Sequence, residues 1–411
     1  MAPARLGTSF RWLLASSWVS NAGDGLALSA GPLLVASQTH DAIWVASAML
    51  LQRLPWLVFG LYAGAIADRV DRRVMVALCD GLRAVVLALL SVTIVTGAVN
   101  IAVVLVAMFL LGTAEVFADT ATRTLLPMLV DRDDLGIGNA RLQFGFVGLN
   151  QLVGPALGAL LFATGSAIPF ITQTICVALG VVLIWQIATP KPAEVAPAER
   201  RALRAEIGEG ISWLLHHRAI RTLALVMVTF NITFALAWST LVLYATQHLG
   251  MSEGAYGLLT TSAAIGGLVS TACYGWLERR LSLATLMRAC LTLEVLMHLA
   301  FAVNTSPVLA VLLMFVFGAY AFVWSTLAQT VRQRAVPTEF QGRVGSVYLV
   351  GLYGGLVIGL ALGGPIAHIW GLTAPFWCGF VGSGVTLVLI WRSLSYVAHA
   401  DEEPVPAGEA A

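Results

Sequence analysis

Long apolar runs alternate with short polar breaks along almost the whole chain. Twelve of these runs are long enough to cross a bilayer, which takes about 20 apolar residues in a helix. They predict twelve membrane helices, called spans 1 to 12, over residues 10–36, 43–66, 74–96, 100–126, 140–163, 167–188, 221–247, 255–277, 283–303, 307–331, 344–369 and 372–393. The predicted fold class is therefore an all-α integral membrane protein with twelve transmembrane helices.

The two halves of the chain share three landmarks at a nearly constant separation. The matched pairs are Gly64 with Gly275, Pro127 with Pro337, and Pro155 with Pro365. Each pair is 210 or 211 residues apart. A constant offset indicates duplication of a six-helix unit, and it predicts two six-helix bundles related as a parallel repeat.

A polar segment separates the two predicted bundles. The predicted domains are residues 1–188 (first bundle), 189–220 (cytoplasmic linker), 221–395 (second bundle) and 396–411 (disordered tail). Four apolar residues at helical spacing predict an amphipathic helix in the linker, namely Leu203, Ile207, Ile211 and Leu214. This helix either lies along the membrane surface or simply links the bundles, and the sequence favours neither interpretation.

Most basic residues lie at one set of loops and the adjoining helix ends. The loops near residues 37–42, 97–99, 164–166, 248–254, 304–306 and 370–371 contain no arginine or lysine. Because cytoplasmic loops are enriched in basic residues, this asymmetry predicts that both termini and the linker are cytoplasmic. Arginine replaces lysine almost completely, which is typical of a GC-rich bacterial genome, so we expect the bacterial inner membrane.

The composition excludes several classes of function. Only 11% of the residues are charged and the net charge is +1, so neither a soluble surface nor a nucleic-acid partner is expected. The five cysteines lie in apolar stretches without the spacing of a disulfide framework or a metal site. No phosphate-binding loop precedes the single lysine, Lys191. We predict no enzyme activity, no cofactor and no metal.

A few carboxylates fall inside the predicted spans, where a charge needs a partner, a water-filled cavity or a function. Asp24 lies near the middle of span 1 among small residues, and Glu115 lies deep in span 4. These two are our candidates for proton coupling, and a static ion pair of Asp24 with Arg53 is the alternative. Glu294 and His298 form an i, i+4 pair in span 9, for which we favour local packing over coupling.

Other charged groups are interpreted as structural pairs. Glu115, Asp119 and Arg123 are spaced at i, i+4 and i+8, so they share one face of span 4. We expect Arg123 to hold Asp119. Asp80 and Arg83 lie in the cytoplasmic third of span 3, and we expect Asp80 to pair with the arginines of the turn before that span.

That turn resembles the signature loop of the major facilitator superfamily. The residues that carry the resemblance are Gly64, Asp68, Arg69, Arg72 and Arg73, with Asp71 where the superfamily usually has glycine. The glycines and proline of span 5 resemble the motif of drug/proton antiporters. The segment 115–127 and the stretch 333–344 resemble the branch that contains enterobactin and macrolide exporters.

The resemblance implies that spans 1, 4, 7 and 10 surround a central cavity. Candidate substrate contacts in these spans are Asn21, Asn231, Trp238, Tyr244, Tyr320, Trp324 and Gln329, and ordinary helix packing is the alternative for each. The signature turn would form a cytoplasmic gate with Asp80, Asp119 and Arg123. The helix-bending motif consists of Gly154, Pro155, Gly158, Gly364 and Pro365, and we expect its glycines to pack against the other half of the protein.

The resemblance also implies a function. We predict a secondary active transporter that exports an amphipathic small molecule, such as a drug, secondary metabolite or siderophore, in exchange for protons by alternating access. It would act as a monomer in the lipid bilayer. The alternatives are an importer or lipid flippase on the same fold, and a membrane sensor or scaffold that transports nothing.

Overall fold

The computed structural model of the protein describes residues 6–67, 70–131, 134–188, 203–337 and 340–397, and within these ranges it contains helices and no strand. The helices are α1 (Gly7–Gln38), α2 (Ala42–Ala67), α3 (Arg72–Val95), α4 (Ile101–Leu129), α5 (Leu135–Thr164), α6 (Ile168–Ile184), α7 (Leu203–His216), α8 (Arg218–Trp238), α9 (Glu253–Arg280), α10 (Leu283–Val303), α11 (Pro307–Ala335), α12 (Gln341–Trp370), α13 (Ala374–Ile390) and α14 (Ser393–Val397).

The helices match the predicted spans one for one. In the described ranges, nine helices are long and apolar enough to cross a membrane. α6 and α13 are apolar but shorter, and α1 has 32 residues. α1 to α6 thus correspond to spans 1 to 6, and α8 to α13 correspond to spans 7 to 12. The protein is an all-α, multi-pass membrane protein, as predicted.

Span 7 is the one span that is interrupted. α8 ends at Trp238, and after a short turn the chain continues as a π-helical segment, Tyr244–His248. Ser239 stands at the break, and its hydroxyl donates to the Leu236 carbonyl at 2.9 Å. A hydroxyl that bonds the preceding turn competes with the backbone ladder, but the same bond occurs in unbroken helices, such as Ser270 to Gly267 in α9, so it does not by itself account for the break.

The chain divides into two units by contact. Unit 1 comprises Met1–Val195 and Val242–Ala264, and unit 2 comprises Ala196–Leu241 and Ile265–Ala411. Residues 242–264, from spans 7 and 8, therefore pack with unit 1. The predicted domain boundaries stay a prediction, since linker residues 189–202 and tail residues 398–411 lie outside the described ranges.

α1 is the central helix of unit 1. It packs against α5 and α6, while α4 packs against α2 and α3. Three side chains of α1 donate to backbone carbonyls of α5 and α6: Ser16 to Gly180 (2.9 Å), Trp18 to Arg141 (3.1 Å) and Ser29 to Pro155 (2.6 Å). Such polar contacts join helices in lipid, where burial of apolar surface gives little driving force between them.

α5 contains a π-helical segment, Phe146–Val153, directly before Gly154 and Pro155. The wider turn lies where Pro155 has no N–H to offer the helix. Gly154 and Gly158 lie against α1, and a Cβ on Gly158 would overlap the Leu26 carbonyl oxygen. The expectation that these glycines pack against the other half of the protein is wrong, because they bring α5 onto the first helix of their own unit.

Unit 2 repeats this arrangement. α12 packs along α8 through Gly355, Gly359 and Gly363, each of which lies against the α8 backbone. α10 packs against α11 and α13, and α13 also contacts α8. The first and fifth helices of each bundle are thus held together by the same device, a row of glycines.

α7, inside the predicted linker, is anchored to unit 2. Trp213 is buried and stacks between His217 and Phe340, with ring centroids 4.9 Å and 6.1 Å away. Glu209 pairs with Arg343 of α12 at 2.6 Å. Part of the apolar side of α7 is therefore covered by protein.

Candidate functional site

Asp24, Asp80 and Arg83 meet inside unit 1. The Arg83 guanidinium donates from Nη1 to Asp80 at 2.8 Å and from Nη2 to Asp24. Gln173 of α6 donates from Nε2 to the same Asp24 oxygen at 3.1 Å. Asp80 and Arg83 lie one turn apart on α3, so their side chains share a face. Three helices, α1, α3 and α6, thus contribute to one polar network.

A polar cavity lies beside this network. It has a volume of about 60 Å³ and is lined by α1, α3, α4 and the end of α6. Its uncharged polar lining consists of Ser16, Ser17, Ser20, Asn21 and Thr122. Asp24, Asp80, Arg83 and Asp119 supply the charges. A cavity with this lining suits water and polar ligands.

The two aspartates differ in their access to the cavity. The Asp24 side chain is 28% exposed, whereas those of Asp80 and Arg83 are each 7% exposed. Asp24 is therefore the more accessible of the two aspartates. The alternative pairing of Asp24 with Arg53 is not seen, since Asp24 pairs with Arg83. The expected pairing of Asp80 with the turn before α3 is wrong, because Asp80 pairs with Arg83 of its own helix.

Glu115 faces the same group of charges from α4. It is half-buried, and Arg53 of α2 is the cation that acts on it most strongly, followed by Arg83. Asp24, Asp80 and Glu115 thus give three carboxylates opposite two guanidinium groups. With every group ionised, this set carries an excess of negative charge.

The signature turn is anchored to its neighbours. Asp71 caps α3 by accepting a hydrogen bond from the backbone N–H of Arg73 at 2.9 Å. The Arg73 side chain donates to the Ile187 carbonyl, just after α6, at 2.8 Å. Arg72 contacts the sulfur of Met128 in α4 at 2.8 Å. The turn therefore connects the end of α6 with the end of α4.

Part of the predicted gate cannot be placed. Asp68, Arg69 and the side chain of Arg123 lie outside the described residues. Of the other members, Asp119 lines the cavity, and Gly64 lies near the end of α2 with open space where a Cβ would be.

Trp238 is the centre of an aromatic cluster in unit 2. Its ring centroid lies 4.7 Å from Phe234, 4.8 Å from Phe317 and 5.9 Å from Phe301. Phe317 in turn meets Tyr320 edge-to-face at 5.6 Å. The cluster joins α8, α10 and α11 through these ring contacts.

Tyr320 also has a polar partner outside the aromatic cluster. Its hydroxyl donates to Glu294 Oε2 at 2.6 Å, and His298 Nε2 lies 3.2 Å from Glu294 Oε1. All three side chains are buried. The pair predicted on span 9 is therefore a triad that includes a residue predicted to contact substrate.

The other candidate substrate contacts have different surroundings. Asn21 and Asn231 each donate to the carbonyl four residues earlier on the same helix. Tyr244 is fully buried, Trp324 is half-buried and Gln329 is exposed. Of these five residues, Asn21 is the one that lines the described cavity.

Sequence reasoning missed Gln173 and the phenylalanines around Trp238. Gln173 is an amide within the apolar span 6, whose other amide, Gln186, lies near its end, and that isolation was the available signal. Phe234, Phe301 and Phe317 gave no signal, because aromatic residues are common throughout membrane helices and only their packing distinguishes these three.

Known proteins match the chain over nearly its full length. A family model described as "transmembrane secretion effector" matches residues 1–406. The multidrug efflux pump Tap of Mycolicibacterium fortuitum is 29% identical, with 89% of this chain and 90% of that protein aligned. The enterobactin exporter EntS of Citrobacter koseri is 25% identical, with 97% of this chain and 95% of that protein aligned.

Solved transporter structures share the fold. A bacterial homologue of the iron transporter ferroportin, in an inward-facing state, aligns with a TM-score of 0.72 at 18% identity and covers 97% of this chain and 100% of its own. The nucleoside transporter NupG aligns with a TM-score of 0.71 at 13% identity, over 95% and 99% of the two chains. With the family match, these likenesses show that the chain belongs to the transmembrane secretion effector family of the major facilitator superfamily, whose members are membrane transporters and not enzymes.

Proposed function

We propose that this protein is a proton-coupled exporter of amphipathic small molecules. It would work as a monomer in the bacterial inner membrane, with both termini in the cytoplasm. The names of its relatives, a multidrug efflux pump and an enterobactin exporter, support export of small organic molecules. The excess of arginine at one set of loops supports the orientation.

The observation that carries the proton coupling is the sharing of Arg83 by two aspartates. When Asp24 takes up a proton, Arg83 keeps its bond to Asp80 and does not become an unpaired charge in the membrane. When Asp24 releases the proton, Arg83 and Gln173 are in place to stabilise the carboxylate. Protonation can therefore loosen α1 from α3 and α6 at low cost, which is what a coupling site requires.

Glu115 is the second candidate for the same proton. It faces Arg53 and Arg83, so the excess negative charge of the set can be neutralised at either carboxylate. Asp24 is the stronger proposal because it lines the cavity and Glu115 does not.

Asp24→Asn should abolish transport driven by a pH gradient, because the amide keeps the shape of the side chain and cannot exchange a proton. Uptake of a fluorescent amphipathic dye into inverted membrane vesicles measures this. Dye exchange without a gradient should continue, since the binding surface is unchanged. Asp41→Asn is the matched control, because Asp41 lies outside the spans and caps α2 through its Oδ1, which an amide can also do. Gradient-driven transport at the wild-type rate by Asp24→Asn would eliminate Asp24 as the coupling site.

The direction of transport distinguishes an exporter from an importer or flippase. We expect cells that overproduce the protein to accumulate less dye than cells without it, and the difference should vanish when an uncoupler removes the proton gradient. Greater accumulation in the overproducing cells would support an importer, and no flux in proteoliposomes would support a sensor or scaffold.

We further propose that the signature turn gates the cytoplasmic side. Arg72 and Arg73 support this role, because they connect the start of α3 to α4 and to the segment after α6. Movement between inward-open and outward-open states would break and reform these contacts. Alternating access of this kind requires elements that have two discrete arrangements rather than one.

A further inference from the structure

Unit 2 contains a buried triad of polar side chains that the proposed transport cycle does not use. Glu294 is 9% exposed, His298 is 1% exposed and Tyr320 is 6% exposed. Tyr320 donates its hydroxyl hydrogen bond to one carboxylate oxygen of Glu294, and the His298 ring lies beside the other. All three lie within membrane-spanning helices, α10 and α11.

The charge of this triad depends on protons. An ionised Glu294 with a neutral His298 would leave a buried charge with one hydroxyl as its donor, which is costly inside a membrane. One bound proton, on either the carboxylate or the imidazole, makes the pair neutral overall. The triad therefore needs at least one proton whenever it is closed to water.

The surroundings of His298 do not provide the hydrogen bonds that an imidazolium cation needs. Its Nε2 is at ion-pair distance from Glu294, 3.2 Å, but is not aligned as a hydrogen bond, and its Nδ1 has no hydrogen-bond partner in the described part of the chain. An imidazolium has two N–H donors to satisfy. The ring lies against Gly379 of α13, where a Cβ would reach 2.8 Å from Nδ1. Unit 1 differs, because Arg83 cannot give up its proton.

The other titratable side chains beside the triad are cysteines. Cys290 lies one turn before Glu294, and α13 carries one titratable side chain, Cys378, beside Gly379. The arginines of the neighbouring helices lie elsewhere: Arg332 and Arg334 in the last turn of α11, and Arg288 of α10 on the Trp391 carbonyl at 3.1 Å. Tyr396 of α14 lies under Arg218, 5.3 Å from the guanidinium carbon, and Arg218 and Arg221 stand at the start of α8.

We propose that Glu294 and His298 form a second proton-binding site, in unit 2, with Tyr320 as the hydrogen-bond donor to its carboxylate. The site goes beyond the proposed export function, because it binds protons whether or not a substrate is transported. Proton transfer here forms an O–H bond on Glu294 or an N–H bond on His298, and the proton comes from water.

The site is connected to the aromatic cluster. Tyr320 contacts Phe317, and Phe317 contacts Trp238 at 4.8 Å. Protonation of Glu294 weakens the acceptor of the Tyr320 hydroxyl, because a neutral acid accepts less strongly than a carboxylate. The weaker hydrogen bond gives the Tyr320 ring more freedom to move against Phe317. Proton binding at Glu294 can thus change the packing of the aromatic cluster around Trp238.

Infrared difference spectra of the full-length protein in lipid nanodiscs, recorded between acidic and alkaline pH without substrate, test the proposal. We expect a carbonyl band of a protonated carboxylic acid that is absent in Glu294→Gln. The same band should shift in frequency in Tyr320→Phe, which removes one hydroxyl from the carboxylate. Asp24→Asn is the matched control and should leave this band in place, because its carboxylate belongs to unit 1.

Two outcomes would overturn the proposal. One is a Glu294→Gln spectrum identical to that of the wild type at every pH. The other is a band that keeps its frequency in Tyr320→Phe, and this variant decides the matter if Glu294→Gln does not fold. Loss of gradient-driven transport in Asp24→Asn with the Glu294 band unchanged would show that the two proton sites are independent, so a failure of one proposal is distinguishable from a failure of the other.

Discussion

At the scale of single residues, Arg83 joins two helices of unit 1. It is buried and pairs with two aspartates from two helices. Removing one partner of a buried ion pair typically costs about 3–5 kcal/mol, because a charge is left without compensation. Arg83→Gln should therefore lower the stability of the protein by about this amount, seen as a lower midpoint of thermal unfolding in detergent.

A second variant separates the loss of charge from the loss of packing. Arg83→Gln combined with Asp80→Asn removes the cation and one anion together, so the remaining buried charge is smaller. We expect the double variant to unfold at a higher temperature than Arg83→Gln alone. If the two variants unfold at the same temperature, Asp80 contributes no uncompensated charge, and the shared-arginine argument for Asp24 loses its basis.

At the scale of helices, the close approach of α1 and α5 depends on Gly158. A methyl group at this position would overlap the Leu26 carbonyl oxygen, and both sides of the contact are backbone. Overpacking of a fitted interface costs about 1–3 kcal/mol. Gly158→Ala should lower the unfolding midpoint accordingly, and it should slow transport if α1 and α5 move as one body.

Gly148 provides the matched control in the same helix. A Cβ at Gly148 would meet nothing within 4 Å, so Gly148→Ala should leave both stability and transport close to the wild type. Equal losses of stability and transport in the two variants would mean that these properties depend on the number of glycines in α5 and not on its contact with α1.

At the scale of the whole molecule, the sequence predicted the helices far better than their partners. Lipid requires every backbone group to be satisfied within a helix, so apolar runs determine the spans almost directly. The partner of a polar side chain depends on how each helix is rotated about its axis and packed. The apolar pattern gives little information about this rotation, because the face of a helix that meets lipid is apolar as well. Asp24 and Glu115 were recognisable as costly charges, but the contact of Asp24 with Gln173 crosses 149 positions of the chain.

The buried triad of Glu294, His298 and Tyr320 shows the same limit of prediction from sequence. The i, i+4 spacing of Glu294 and His298 was visible in the sequence because both lie on one helix. Tyr320 was visible only as a member of span 10, and its bond to Glu294 needed the packing of α10 on α11. The local half of each site could be predicted, and the half contributed by a second helix could not.

The π-helical segment Phe146–Val153 has a consequence for how this protein can be aligned and shortened. A π turn accommodates more residues than an α turn over the same path. Deleting a single residue within it would let the helix return to α geometry over the same path, so the residues that follow would keep their faces. Gly158 would then stay on the α1 side. A one-residue deletion in an α-helical part of α5 before Gly158 would instead turn everything that follows by about 100°, so a one-residue gap in an alignment of α5 belongs in this segment.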